Sequence, residues 1–298
     1  MRRLLLPLLC LVLLAPGYDW PVKPFRAQHS IRGYFDDPRR DPGGPSKAVR
    51  ESFHSGIDIA CADGTPVYAI AGGRASVRPT AITIRSDGWK HVFGYWHIVP
   101  IVHPGATVRA HQLIGLVMPG WGHVHLSERL DGQYVNPLRR GGIAPFTDTT
   151  PPLITDVLVL QNGRPVDIAS VSGSVELVAD AYDAPPLALQ PPWRKSRLTP
   201  AVLRWRLVRP NGFVVIPWLT ILDFRSHPPA TEFDAIFAPG TIENRAWQPG
   251  RYRFWLTQHL DTRALPAGVY EVQVRALDIR GNSASAQMPF RVRAQSSL

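Results

Sequence analysis

Phe53-His54-Ser55-Gly56-Ile57-Asp58-Ile59-Ala60 carries the reading of the first half of the chain. Ile57 and Ile59 alternate with Asp58, which is the period of a strand. On an extended chain an even offset of four puts His54 and Asp58 on one side, and Phe53, Ile57 and Ile59 turn to the other, into a core. Gly56 lies between the two polar residues and has no side chain to obstruct an ion. Further on, His123-Val124-His125-Leu126 sets two imidazoles two residues apart, again on one face, and Tyr95-Trp96-His97-Ile98 brings a third. Imidazole and carboxylate are good zinc ligands, and catalytic zinc takes three protein ligands and keeps one open position. A lone H-x-x-x-D or H-x-H is weak; both in this order, with a histidine between them, make a strong signal.

Around these motifs the chain reads as all-β. Thirty prolines and 24 glycines break it into short segments, and no helical period persists after the N-terminal stretch. Asp36 to Ser46 is a loop by composition. Ala81 to Arg85, the turn Ser86-Asp87-Gly88, and Trp89 to His97 read as a β-hairpin. A composition shift at Thr147 to Pro152 marks a domain boundary. Beyond it Val175, Leu177 and Ala179, then Leu203, Trp205 and Leu207, then Tyr252, Phe254 and Leu256, then Val272, Val274 and Ala276 recur with period two. Such strands predict an immunoglobulin-like β-sandwich. That half shows no cluster of titratable residues, and His227 and His259 read as isolated.

At the N terminus Arg2 and Arg3 precede the apolar run Leu4 to Leu14 and the small residues Ala15-Pro16-Gly17. This has the form of a secretory signal peptide and is too short to span a bilayer. The expected division is therefore a signal peptide over 1–17, a zinc-site domain over 18–148 and a sandwich over 149–298. No integral membrane domain is expected after cleavage. Only Cys61 remains once Cys10 is removed, so no intrachain disulfide can form, and Cys61 reads as a small buried apolar residue. The formal charge of +10 suits anionic wall polymers, although a bias towards arginine explains it equally well. No basic run is interleaved with aromatics, which excludes a nucleic-acid site.

His54 to Asp58, followed by Ile59 to Ala71 as IACADGTPVYAIA, resembles the signature of the lysostaphin/LytM-type peptidases. Tyr95-Trp96-His97-Ile98, Val102 to Val117 and His123 to Leu126 are similar to that family's later elements, in the same order. Tyr34 to Arg39 fits a lead-in carried by some members. The resemblance implies antiparallel sheets forming a flattened, partly open β-barrel (a duplicated hybrid motif) with a groove. It implies that His54, Asp58 and His125 bind Zn2+, with His97 and His123 beside the metal as catalytic residues. Leu126-Ser127-Glu128 and Val124 depart from the family pattern, which bears on substrate detail.

The activity so implied is that of an exported zinc metalloendopeptidase, periplasmic or extracellular, cutting peptide bonds in peptidoglycan. Zinc with two imidazoles and one carboxylate acidifies water towards ~7 and polarises a carbonyl. No H-E-x-x-H supplies a glutamate base, so His97 and His123 share the proton transfer and oxyanion stabilisation, in an order left open. Two alternatives stand beside this reading: a non-hydrolytic regulator of other wall hydrolases, which usually lacks one or more of the five positions, and a zinc peptidase acting on proteins. The second half targets the enzyme, binds a protein partner, covers the groove or packs against it.

Overall fold

The computed structural model describes residues 17–41, 50–86 and 90–294. The expected signal peptide, apart from its last residue, and the tip of the 81–97 hairpin lie outside these residues. Among the described residues no helix is long and apolar enough to cross a membrane. Among the described residues the regular structure is nearly all strand, and the one α-helix covers only Phe233–Ile236.

The first half contains β1 (Ile31–Gly33), β2 (Pro38–Asp41), β3 (Arg50–Phe53), β4 (Ile57–Ala60), β5 (Pro66–Tyr68), β6 (Gly73–Arg78) and β7 (Ala81–Ser86). It continues through β8 (His91–Trp96), β9 (Ile98–Pro100), β10 (Thr107–Val108), β11 (Leu113–Val117), β12 (His123–Leu130) and β13 (Gln133–Val135). The main sheet runs β1-β4-β12-β8-β7-β6-β10, with β13 paired to β12, and a second sheet runs β5-β11-β9. Both close over one core. Ile57, Ile59, Ile82, Ile84, Phe93, Tyr95, Val124 and Leu126 enter it from the main sheet, and Val67, Ile98, Ile114 and Val117 from the second. This arrangement is compatible with the expected partly open barrel. Leu130 pairs with Gln133 across Asp131 (φ 48°) and Gly132 (φ 84°). Two positive φ values in a two-residue loop make a type I′ turn, whose twist suits a hairpin.

Two local expectations are corrected. The segment from Asp36 is not loop throughout, because Pro38–Asp41 pairs antiparallel with Arg50–Phe53. Proline heads that strand, at a position with no ladder N–H to supply. Nor do His54 and Asp58 share one strand. The chain leaves β3 at Phe53 and enters β4 at Ile57, and the two strands lie in different sheets. Phe53 consequently packs in a different core from Ile57 and Ile59.

The second half contains β14 (Leu153–Gln161), β15 (Arg164–Pro165), β16 (Ser174–Tyr182), β17 (Val202–Val208), β18 (Val214–Asp223), β19 (Arg253–Asp261), β20 (Gly268–Leu277) and β21 (Ser283–Val292). They form two antiparallel sheets, β15-β14-β16-β19 and β18-β17-β20-β21. Leu177, Trp205, Phe254, Val272 and Val274 from both sheets share one core, as period-two apolar strands require.

The two halves are interlocked. Phe53 lies 5.9, 5.4 and 5.9 Å, centroid to centroid, from the rings of Phe224, Phe233 and Phe237. Leu198 of the second half is buried in the first half's core. Buried Asp37 accepts from the backbone N–H of Thr199 at 2.8 Å and from its hydroxyl at 2.9 Å. His227, read from sequence as isolated, meets Asp36 Oδ1 at 2.6 Å.

Candidate metal centre

β12 lies between β4 and β8, so its residues have neighbours on both sides. Val124 and Leu126 face the core, which turns His123 and His125 to the opposite face. In the ladder His125 stands opposite Asp58 of β4 and opposite Trp96 of β8. His54 reaches the same place from the turn between β3 and β4. Its backbone N–H donates to Asp37 O at 3.0 Å, and its carbonyl accepts from Asp36 N at 2.8 Å. Gly56 is needed here: a Cβ on it would lie 2.2 Å from Leu126 O and 2.8 Å from the His125 ring.

Three donor atoms converge. His54 Nε2 is 2.7 Å from His125 Nδ1 and 3.1 Å from Asp58 Oδ1, and His125 Nδ1 is 3.2 Å from the same oxygen. All three residues are buried. His54 Nδ1 sits 2.6 Å from the carbonyl oxygen of Tyr34, which can only accept, so Nδ1 carries the proton and Nε2 faces the site bare. The facing atoms then hold at most the single proton of His125 Nδ1, an arrangement that a divalent cation fits. A ligand imidazole anchored through its other nitrogen to a backbone carbonyl is the usual outer support of a zinc site.

The electrostatics agree with this donor set. Burial, then the charge of Arg39, pushes the His54 imidazole down to about 3 and keeps it neutral. Burial opposes the charge on Asp58, but His54, His123 and the hydrogen bond from His125 outweigh it and hold the carboxyl well below its usual range. The other oxygen of Asp58 accepts from Arg39 Nη2 at 2.9 Å.

His123 and His97 stand beside these three. His123 Nε2 is 3.5 Å from Asp58 Oδ1. His123 Nδ1 donates to Trp121 O at 2.8 Å, which leaves Nε2 as the bare nitrogen. Burial is the main cause that pushes His123 down to about 4 and His97 to about 3. The His97 ring stacks on half-exposed Trp121 at 3.6 Å and lies 4.7 Å from the His123 ring. Its backbone has φ 63°, a strained value for histidine that fixes where the side chain departs. All five residues singled out from the sequence therefore come together.

Other side chains were missed or given no role. Arg39 was noted only within the lead-in motif. Arg32 Nη2, 3.5 Å from His123 Nε2, had no local signal. Glu128, a departure from the family pattern, is fully buried and engages Arg139 at 2.6 and 2.7 Å and His91 at 2.7 Å. It braces the far end of β12 and does not approach the site. Cys61 is partly buried, its thiol donates to Ile59 O at 3.4 Å, and burial pushes its pKa up to about 11, so it is inert. The expectation that the second half takes part in no titratable cluster fails. Asp183 and Asp278 join Asp148, with one oxygen of each within 4.8 Å of the others.

Residues 52–137 match the model of peptidase family M23. No curated protein matches the chain. A zinc-containing peptidase from Vibrio cholerae shares 25% identity over 41% of this chain and 39% of its own, at TM-score 0.32. The catalytic domain of the antimicrobial peptidase lysostaphin from Staphylococcus simulans shares 23% identity over 36% of this chain and 87% of its own, at TM-score 0.29. A mutant catalytic domain of the prophage-encoded M23 protein EnpA from Enterococcus faecalis shares 28% identity over 43% and 98%, at TM-score 0.31. This chain thus spans well under half of the Vibrio cholerae peptidase. Residues 52–137, which supply all five histidine and aspartate positions of the site, are a domain of peptidase family M23, the lysostaphin/LytM type.

Proposed function

We propose that the protein is an exported zinc metalloendopeptidase that hydrolyses peptide bonds of bacterial peptidoglycan. In this reading 1–17 is a signal peptide, 18–148 the peptidase unit and 149–298 a second unit packed against it. The observation that carries the proposal is the convergence of His54 Nε2, Asp58 Oδ1 and His125 Nδ1 within a stretch matching a peptidase family. Zinc, when held by these atoms, supplies a Lewis acid that polarises a peptide carbonyl and acidifies water.

The flanking histidines divide the remaining work. His123, locked by its Nδ1–H to Trp121 O, presents a bare Nε2 towards the site and accepts the proton of the attacking water. His97, neutral because burial holds it near 3, gives up no proton of its own at neutral pH. It acts as an N–H hydrogen-bond donor to the developing oxyanion. Trp121 holds both rings, one through its carbonyl and one by stacking.

The test is muropeptide release from purified peptidoglycan by the mature protein, read by mass spectrometry with and without a chelator. Chelator-sensitive release of peptide-cleaved fragments is expected, together with loss of release but retention of zinc in His123→Ala. Zinc-loaded protein that releases nothing would overturn the hydrolase reading in favour of a regulator or a different substrate. Loss of zinc in His123→Ala would show the ligand set to be wrong.

A further inference from the structure

The second half of the chain walls two cavities beside Arg32 and the candidate metal centre. In β1 the register slips between Ile31 and Gly33: Ile31 pairs with Ile59 and faces the core, whereas Gly33 pairs with Asp58. Because Ile31 faces the core, strand alternation turns Arg32 to the metal-centre face, where its Nη2 lies 3.5 Å from His123 Nε2, and the slip brings Gly33 onto Asp58 on that same face. Trp193, from the segment between β16 and β17, lies against the other side of the guanidinium with 4.1 Å between cation and ring centroid. Ser30 Oγ donates to Ala188 O at 3.1 Å and ties that segment to the start of β1.

Arg32 is half-buried, yet among the described residues it forms no ion pair. Burial pulls its pKa down and Asp58 pulls it up. Asp58, however, already spends its oxygens on the histidines and on Arg39. A partly buried guanidinium that makes no ion pair is costly unless a ligand supplies one. Stacking on an indole fixes the guanidinium plane and keeps its edge donors, of which only Nη2 is directed at His123, in place for the two-pronged bonds that a carboxylate accepts.

Two cavities meet at Trp193. A small one of about 110 Å³ touches Arg32, Arg39, Asp58 and Trp193 and is closed by Glu243 and Asn244 of the second half. A larger one of about 420 Å³ lies between Cys61, Ala62 and Gly122 on one side and Leu189, Pro192 and Trp193 on the other. Its walls are mainly apolar, and Gly122 adjoins His123.

We propose that Arg32 on its Trp193 platform is a carboxylate subsite, so that the substrate is a peptide bearing a free carboxylate beside the scissile bond. A short aliphatic neighbour of that carboxylate fills the apolar cavity against Leu189 and Pro192. The proposal rests on the peptidase reading and deepens it. The second half then acts as a specificity wall, and docking of the carboxylate draws Arg32 Nη2 away from His123 Nε2.

The experiment uses zinc-loaded full-length mature protein and two matched peptides that differ only in a free carboxylate or a carboxamide next to the cleaved bond. For the wild type, kcat/KM should favour the acid by roughly tenfold or more, chiefly through KM, as a lost charge-assisted pair implies. Arg32→Gln should bring the ratio close to one, Arg32→Lys should restore part of it, and Trp193→Ala should reduce it. Equal kcat/KM for both peptides in the wild type overturns the proposal and leaves the peptidase standing. An equal fall in kcat on both peptides in Arg32→Gln also overturns it, making Arg32 a positioning residue for His123. If neither peptide is cut, the peptidase reading is judged separately by muropeptide release from peptidoglycan. Calorimetric titration of both peptides into wild type and Arg32→Gln then decides the subsite alone: acid-selective binding that is lost in the variant supports it, and its absence overturns it.

Discussion

Arg39 and Asp58 form an ion pair of 2.9 Å on the side of the carboxylate turned away from the histidines. One oxygen of Asp58 thus faces His54 and His125 while the other is held by a guanidinium that also lies 3.9 Å from buried Asp37. The pair fixes the direction in which the oxygen nearer the histidines points.

Removing the guanidinium should loosen that orientation without dismantling the sheet. Arg39→Ala is expected to lower zinc affinity about 10–100-fold, the usual range for a partner of a ligand. Competition with a calibrated chelator measures it, and far-ultraviolet circular dichroism reports the fold. Unchanged affinity would mean that the pair is ornamental.

Gly56→Ala should be costly at a place where no neighbour can give way. The added methyl meets Leu126 O, a backbone atom of the central strand β12. A loss of about 1–3 kcal/mol is expected from such overpacking, together with weaker zinc binding, because the same methyl presses on the His125 ring. Urea unfolding with and without zinc separates the two effects.

His123 and His125 were legible because strand periodicity is local: they share a face whatever lies around them. The same rule misled at His54 and Asp58. Their even spacing suggested one strand, but the chain turns at Ser55-Gly56 and the two residues meet from different sheets. Arg32 and Trp193 gave no signal, since the strand that carries the first and the segment that carries the second are brought together only by tertiary packing. Likewise nothing near Asp183 in the sequence announces Asp148 or Asp278.

That aspartate trio predicts a pH dependence of stability. Burial, then Asp148 and Asp278, pushes Asp183 up to about 9, so the fold keeps a proton that the unfolded chain releases near about 3.9. The contribution is full below the unfolded value and is lost as pH rises towards 9. Asp36 and Asp37, raised to about 7 and about 6, act in the same sense at lower pH. The depressed histidines at 54, 97 and 123 act in the opposite sense, and only below their ordinary ~6.5. Above neutrality Asp183 therefore sets the slope. Melting temperature should fall between roughly pH 7 and pH 9. Asp183→Asn should flatten that fall and raise the melting point at the alkaline end, and an unaltered slope would refute the assignment.

Phe53 predicts a coupling between the second half and the metal. Phe53→Ala should cost about 3–5 kcal/mol and also weaken zinc binding, because His54 follows directly. Leu222→Ala, in the same core but away from the metal centre, should cost stability and spare zinc affinity. Equal zinc affinity in the two variants at matched stability would sink the idea.

The Phe53 anchor also has a consequence in time. A chain made from its N terminus exposes His54 to the aqueous phase well before Phe224, Phe233 and Phe237 have been synthesised. Until those rings arrive, the residue that leads into the first ligand has no seat. A molecule cut short before Phe224 should therefore hold His54 less firmly than the full chain does.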